Sequence, residues 1–353
     1  MNLVDVILAG FFTPVIMFFI LGMVTTLVKS DLEIPEAMSR SMAIFLMVAI
    51  GLRGGSRAVQ AIKEHPELLI VVTMVAVLAA ILGVLIAVLT ATIMRKVAKL
   101  RTADAWAAGG HYGAVSSATL ALACSLAAEA QKAAPDQLIY VGWMPAMYPF
   151  MDSPALLAAI IVGRIALARE AGAAGVGVNV GKVLHHSIFG LAVWLLISSL
   201  IIGTLTQIFS PNDLRDSLAF FDGMFRGVLA LFLLDMGMVA ARRLAALREL
   251  GSRLWKVVLL AWALPTTWGF LGILAMFAVH CALPGLVGWG DAFVFAAIAG
   301  GCSYISAPIA MKVAMPEANP SISLPMALAL TFPFNVIVNM TVWQIVCRAL
   351  WGA

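Results

Sequence analysis

The chain has 353 residues, of which 63% are hydrophobic and only 11% are charged, and its formal net charge is +4. Soluble domains carry about 25% charged residues, so this composition excludes a water-soluble protein and indicates a polytopic membrane protein. The few basic residues form no long run, which argues against nucleic-acid binding. No two cysteines form a Cys-x-x-Cys pair, so no transition-metal site is expected.

Ten apolar runs are candidates for membrane-spanning helices, because one span needs roughly 20 apolar residues. In chain order they cover residues 10–28, 38–54, 68–94, 103–128, 138–166, 187–209, 218–240, 255–282, 291–314 and 321–349. The first run follows no basic region and precedes no small-residue cleavage site, so it predicts a retained helix rather than a signal peptide.

Lysine and arginine are concentrated in the loops that follow the odd-numbered spans. Since basic loops stay in the cytoplasm, the chain is expected to cross a bacterial inner membrane with both termini in the periplasm. The longest loop, residues 169–186, is rich in glycine and is predicted to be a cytoplasmic linker. It separates a first five-helix repeat at 1–168 from a second at 187–353.

The two halves share residues at nearly corresponding positions. The paired residues are Met38, Arg40 and Gly51 with Met224, Arg226 and Gly237; Gly22 with Gly203; Gly109 and Gly110 with Gly300 and Gly301; and Pro149 with Pro333. Each half has an odd number of spans, so the halves must be inverted relative to each other. Many secondary transporters are built this way, with the substrate at the repeat interface near the middle of the membrane.

Two segments combine glycine with hydroxyl residues inside a span, at matching positions of the halves. They are residues 109–119 in span 4 and residues 300–308 in span 9. If both helices break there, the free N–H groups of two helix N-termini face one place, which favours an anion. Freed carbonyl and hydroxyl oxygens suit sodium. The alternative is that the small residues serve only close helix packing.

Isolated polar residues within spans are costly and are usually functional or paired. Asp152 follows Pro149 and is expected beside a helix break, and its counterpart in the second half is Asn335. Arg40 and Arg226 are expected to snorkel or to form ion pairs. His111 is expected to be packed and hydrogen-bonded, with proton transfer as the alternative.

At these positions the sequence resembles the sodium-dependent bicarbonate symporter family (SbtA type). The matching residues are Gly113 to Ser116 with Thr119, Tyr148 to Asp152 with Pro154 to Leu156, Phe225 to Gly227 with Met236 to Met238, and Ser303, Ile305, Ser306, Pro308, Pro316 and Ala318 to Ser321. The resemblance implies ten helices in two inverted repeats, with a core domain moving against a scaffold (gate) domain. It also implies a homotrimer and a PII-type regulatory protein at the cytoplasmic face.

The break segments and the resemblance together predict the site residues. The predicted substrate-binding residues are Gly113, Ser116, Ser117, Thr119, Ser303, Ser306 and Ala307. The predicted cation-binding residues are Thr119, Asp152, Ser303, Tyr304 and Asn335. The family pattern has an acidic residue where this chain has Tyr304, which removes one natural sodium ligand.

The function expected from these features is secondary active transport, in which sodium drives import of bicarbonate or a similar small anion by an elevator-like movement. Alternatives are another small anion or carboxylate, coupled to protons through His111, and an anion channel. A channel commonly shows rings of charge or a repeated filter sequence, and neither is evident. An enzyme is not expected, because the chain has no His-Glu-x-x-His or Gly-x-Ser-x-Gly motif.

Overall fold

The structure is a computed structural model that describes residues 13–170, 185, 189, 191–244, 247 and 251–352. These residues form helices joined by short loops, and no strand occurs among them. In the described ranges, seven helices are long and apolar enough to cross a membrane, and three shorter helices are also apolar. The all-helical membrane fold is thereby confirmed, while the count of ten crossings stays a prediction.

The helices are numbered here in chain order. They are α1 (Pro14–Leu27), α2 (Glu36–Glu64), α3 (Leu68–Lys96), α4 (Thr102–Gly113), α5 (Ser117–Ala133), α6 (Tyr148–Glu170), α7 (Leu191–Phe209), α8 (Pro211–Leu244), α9 (Leu254–Ala282), α10 (Trp289–Ala299), α11 (Ser306–Ala314) and α12 (Pro320–Trp351). A 3-10 turn at Met144–Met147 precedes α6, and α12 includes π-helical turns at Met326–Thr331 and Asn335–Asn339. The predicted linker lies mostly outside the described residues.

Local sequence signals explain several helix starts. α1 begins with a proline after Thr13, whose hydroxyl oxygen accepts the N–H of Ile16 at 3.4 Å. α12 also begins with a proline, after Asn319, whose side-chain oxygen accepts the N–H of Ser321 at 2.9 Å. Pro154 lies within α6 and Pro265 within α9, as membrane helices allow when neighbouring groups satisfy the freed carbonyls.

Helices α1, α2, α7 and α8 form one group, called here the four-helix bundle. α1 packs closely on α8, and α2 packs closely on α7. A Cβ atom added at Gly22 or Gly203 would overlap the backbone of α8 or α2, respectively. A Cβ atom at Gly237 or Gly51 would overlap the backbone of α1 or α7. The glycines paired in the sequence therefore stand at two helix crossings that are built alike.

The remaining helices, α3–α6 and α9–α12, form the eight-helix bundle. α4 packs between α3 and α6, and α10 packs against α5, α9 and α12. Contacts between the two bundles are fewer and involve mainly α8 with the first π-helical turn of α12, and α2 with the 3-10 turn. An ion pair between Arg226 of α8 and Glu129 of α5 also joins the bundles, as the alternatives weighed for Arg226 allowed.

Candidate functional site

Both segments that were predicted to break are interrupted in the structure. α4 ends at Gly113 and α5 begins at Ser117, and the backbone between them is extended at Ala114 and Ser116. α10 ends at Ala299, and α11 begins only at Ser306. Predicted spans 4 and 9 are thus each made of two half-helices, and each second half-helix starts at the break.

The two breaks are hydrogen-bonded to each other. The N–H of Ser303 donates to the carbonyl oxygen of His111 at 2.7 Å, and Nδ1 of His111 lies 2.6 Å from the carbonyl oxygen of Ser303. Gly301 packs on Ser116 so closely that a Cβ atom there would lie 3.0 Å from the Ser116 nitrogen. The imidazole is buried and ties one break to the other, which agrees with its expected role as a packed histidine.

Ser116 caps the start of α5, and the hydroxyl groups of Ser303 and Ser306 lie at the start of α11. The Ser116 oxygen accepts the N–H of Thr119 at 3.3 Å and the Thr119 hydroxyl at 2.8 Å. The Ser303 oxygen accepts the N–H of Ala307 at 3.3 Å and lies 2.8 Å from the hydroxyl oxygen of Ser306. The positive ends of α5 and α11 therefore meet at the crossing of the breaks, where they favour a negative charge.

Asp152 in α6 completes this cluster. Its Oδ1 atom accepts the N–H of Val115 at 2.9 Å and the hydroxyl of Ser306 at 3.3 Å. Its Oδ2 atom is buried and has no hydrogen-bond partner among the described residues. In the described part of the chain, no basic side chain lies within ion-pairing distance of this carboxyl group. A buried oxygen left in this way calls for a proton or a bound cation.

Asn335, the counterpart of Asp152, is bonded differently. Its Nδ2 atom donates to the carbonyl oxygen of Gly300 at 2.9 Å, and its Oδ1 atom accepts from Nδ2 of Asn339 at 2.8 Å. Oδ1 of Asn339 in turn accepts the hydroxyl of Thr266 at 2.9 Å. Asn335 thus braces the second break from α12, whereas Asp152 braces the first break from α6.

Three other predicted residues lie at the breaks but contact different neighbours. Gly113 allows α4 to approach α3 and α6, since an added Cβ atom would lie 2.7 Å from that of Ala87. Ser117 is buried at the first position of α5. The ring of Tyr304 packs edge-on against Phe332 at 5.6 Å, and its buried hydroxyl has no hydrogen-bond partner in the part of the chain that the structure describes.

One polar contact at the first break was not predicted. The hydroxyl of Tyr148 donates to the carbonyl oxygen of Val115 at 3.1 Å. Tyr148 and Asp152 are four residues apart on α6, so they lie on one helix face, and together they hold both polar backbone groups of Val115. The spacing within the Tyr-Pro-Phe-Met-Asp motif was the signal that could have indicated this.

Much of the cluster is closed to solvent in this conformation, although Ser306 is only half-buried. Asp152 is 0% exposed, and Ser116 and Ser303 are each 1% exposed. Among the described residues, no group of three or more His, Cys, Asp or Glu side chains could hold a metal ion. The available ligands are hydroxyl, carboxylate and backbone oxygens with N–H groups, a set that suits a hard monovalent cation beside a small anion.

A family model described as the Na+-dependent bicarbonate transporter superfamily matches residues 14–348. The match covers nearly the whole chain, so the resemblance drawn from its motifs is confirmed. No curated protein matches the chain.

Proposed function

We propose that this chain, which belongs to the Na+-dependent bicarbonate transporter superfamily, is a symporter that uses sodium to import bicarbonate or a similar small anion. The observation that carries the proposal is the unpartnered Oδ2 atom of Asp152, buried beside the N-terminal ends of two half-helices. The anion is assigned to the half-helix starts and the cation to the carboxylate.

The anion position is supported by the ends of α5 and α11. The backbone N–H groups in the first turn of a helix have no partners within the helix, and the helix dipole adds partial positive charge. The hydroxyl of Ser116 can donate to an oxyanion, and that of Ser306 can do so after releasing Asp152. Bicarbonate is small, carries one charge and accepts several hydrogen bonds, so it matches this set of donors.

The cation position is supported by charge balance. An anion next to the Asp152 carboxylate would be repelled by several kcal/mol, roughly 4 kcal/mol for two charges 4 Å apart at an effective dielectric constant of 20. A sodium ion on Oδ2 removes this repulsion. Binding of each ion then favours binding of the other, and this reciprocal coupling is what symport requires.

Asp152, Ser116 and Ser303 are closed to solvent, so access to them requires movement, and the two-bundle organisation supports an elevator-like mechanism. The breaks and Asp152 belong entirely to the eight-helix bundle, while contacts with the four-helix bundle are fewer. A cavity of about 530 Å³ between α5 and α8 includes Arg226 and Glu129. Matched glycine crossings in the four-helix bundle support the inverted repeat, and with it ten crossings in two five-helix halves.

The test is uptake of radiolabelled bicarbonate into proteoliposomes with and without an inward sodium gradient. Saturable uptake that rises with the sodium gradient is expected. Bicarbonate should also lower the sodium concentration at which sodium binding is half-maximal. Sodium should likewise lower the bicarbonate concentration at which bicarbonate binding is half-maximal. Uptake that a proton gradient drives equally well without sodium would overturn sodium coupling, and uptake that does not saturate would indicate a channel.

A further inference from the structure

Two buried carboxylates stand outside the candidate site, at the starts of the first half-helices. Asp104 lies in the first turn of α4 and is 2% exposed, and Asp291 lies in the first turn of α10 and is 0% exposed. The two half-helices are of nearly equal length, and both run from their aspartate to a break. The aspartates are therefore at equivalent places in the two halves of the chain.

Asp291 binds a loop of the first half. Its Oδ1 atom accepts the N–H of Val141 at 3.1 Å, and its Oδ2 atom accepts the N–H of Gly288 at 3.1 Å. Next to these bonds, the N–H of Gly290 donates to the carbonyl oxygen of Ile139 at 2.8 Å. The start of α10 is thus fixed to the loop between α5 and α6.

Asp104 binds a loop of the second half. Its Oδ1 atom accepts the N–H of Asn319, between α11 and α12, at 2.8 Å. Arg101 donates to both carboxylate oxygens, at 2.7 and 3.0 Å. The hydrogen bonds to Asp104 raise the pKa of Arg101, and the negative charge of Asp104 makes a smaller contribution in the same direction. The start of α4 is thus fixed to the loop that follows the other broken helix.

These bonds form a crossed pair. In the first half, α4 binds the loop that follows α11. In the second half, α10 binds the loop that follows α5. A helix rises about 1.5 Å per residue, so each aspartate lies roughly 12–14 Å along a rigid rod from its break. Fixing both rods at their outer ends sets the height of one break relative to the other.

We propose that Asp104 and Asp291 are a matched pair of positioning residues that hold the two breaks at the relative height needed for ion binding. This inference rests on the proposed function, because the relative height of the breaks matters only if they bind the transported ions. The hydrogen bonds themselves can be tested without a transport measurement. Loss of either aspartate frees one rod at its outer end. The bonds between His111 and Ser303 at the inner ends should then open more often.

The first test is hydrogen–deuterium exchange of the purified protein carrying Asp104→Ala or Asp291→Ala. Exchange is expected to rise about tenfold in peptides that cover both breaks, residues 112–116 and 300–305, although these lie far from the substitution. Asp213→Ala is the control, because Asp213 is exposed in the first turn of α8. An increase confined to the loop that the aspartate binds and to the adjoining helix turn would overturn the proposal.

The second test separates positioning from simple loss of folded protein. With uptake normalised to folded protein, both alanine variants should raise the apparent KM for the anion about tenfold while changing the maximal rate little. Asp104→Asn should restore KM within a factor of about three, because its amide oxygen can still accept the Asn319 N–H. An unchanged KM with a reduced maximal rate in both alanine variants would leave only a structural role.

The two tests distinguish failure of the positioning role of the aspartates from failure of the proposed transport function. If the unmodified protein does not take up bicarbonate, the exchange experiment still decides whether the aspartates hold the breaks. If an alanine variant does not fold, Asp291→Asn takes its place. It keeps one acceptor oxygen but sets an amide N–H against an N–H donor, and it should give a smaller rise in exchange at the same two breaks. No rise at either break would reject the proposal.

Discussion

The hydroxyl of Ser306 and the carboxylate of Asp152 are joined at 3.3 Å, although they belong to opposite halves of the chain. Ser306 begins α11, and Asp152 also holds the backbone of the first break through Val115. One carboxylate oxygen therefore serves both breaks, while its other oxygen remains free for a ligand. A cation bound there would contact a carboxylate that is already hydrogen-bonded to both breaks.

Replacing Ser306 by alanine should weaken anion uptake. The change removes the hydroxyl at the start of α11 together with its hydrogen bond to Asp152, and a hydrogen bond to a charged group contributes about 1.5–3 kcal/mol. We expect the apparent KM for bicarbonate to rise at least tenfold in proteoliposomes, with unchanged expression. Ser125→Ala in α5 is the matched control, and equal transport by the two variants would remove Ser306 from the site.

Replacing Ser116 by alanine should have a double effect. The Ser116 oxygen accepts the Thr119 N–H at the start of α5, so its loss should cost about 1 kcal/mol of stability as well as a donor for the anion. Thermal unfolding in detergent and uptake kinetics measure the two effects separately. A lowered melting temperature with normal uptake would leave Ser116 with a capping role only.

Asp152→Asn should uncouple transport from sodium. The amide has the shape of the carboxylate but no charge, so a cation bound at this position loses its main attraction. We expect the sodium concentration for half-maximal uptake to rise more than tenfold, which corresponds to at least about 1.4 kcal/mol. Asp213→Asn is the control for a distant, exposed aspartate, and an unaltered sodium response in Asp152→Asn would place the cation elsewhere.

Tyr304 permits opposite tests at one position. Because its buried hydroxyl has no partner, Tyr304→Phe should leave stability unchanged or raise it by about 1 kcal/mol. Tyr304→Asp restores the acidic residue of the family pattern and should lower the sodium concentration for half-maximal uptake. Sodium titrations of uptake in both variants decide this, and an identical sodium response would show that residue 304 lies away from the cation.

The glycine crossings predict a contrast within α8. At Gly237 an added Cβ atom would overlap the carbonyl oxygen of Phe19, so Gly237→Ala should push α1 away and cost about 1–3 kcal/mol. At Gly227 no atom of the described ranges lies within 4 Å of an added Cβ atom, so Gly227→Ala should gain about 0.5–1 kcal/mol from helix propensity. Melting temperatures in detergent measure both, and equal shifts would contradict the close crossing.

The sequence was sufficient for features that depend on local composition. Apolar length located the long helices, and the glycines with hydroxyl residues of 109–119 and 300–308 located both breaks. Asp152 was found because a charge within an apolar run is costly wherever it lies. Each of these signals is carried by neighbouring residues along the chain, so no knowledge of the packing was needed.

Features that depend on contacts between distant segments were not predictable in this way. Asp104 and Asp291 look like ordinary helix-start carboxylates, and only the folded chain shows that each binds a loop of the other half. Similarly, Asn335 was expected to be a cation ligand, and its place in that role stays a prediction. In the folded chain both ends of its amide are engaged by Gly300 and Asn339.

The four-helix bundle also has a mechanical consequence. At Gly22, Gly203 and Gly237 the nearest atoms of the facing helix belong to its main chain, so these helices cross in close backbone contact. The seam with the other bundle includes longer, partly exposed side chains, such as those of Arg226 and Glu129, which can exchange one partner for another at little cost. Stress applied to the molecule should therefore be relieved at the seam, and each bundle should keep its shape while its neighbour shifts.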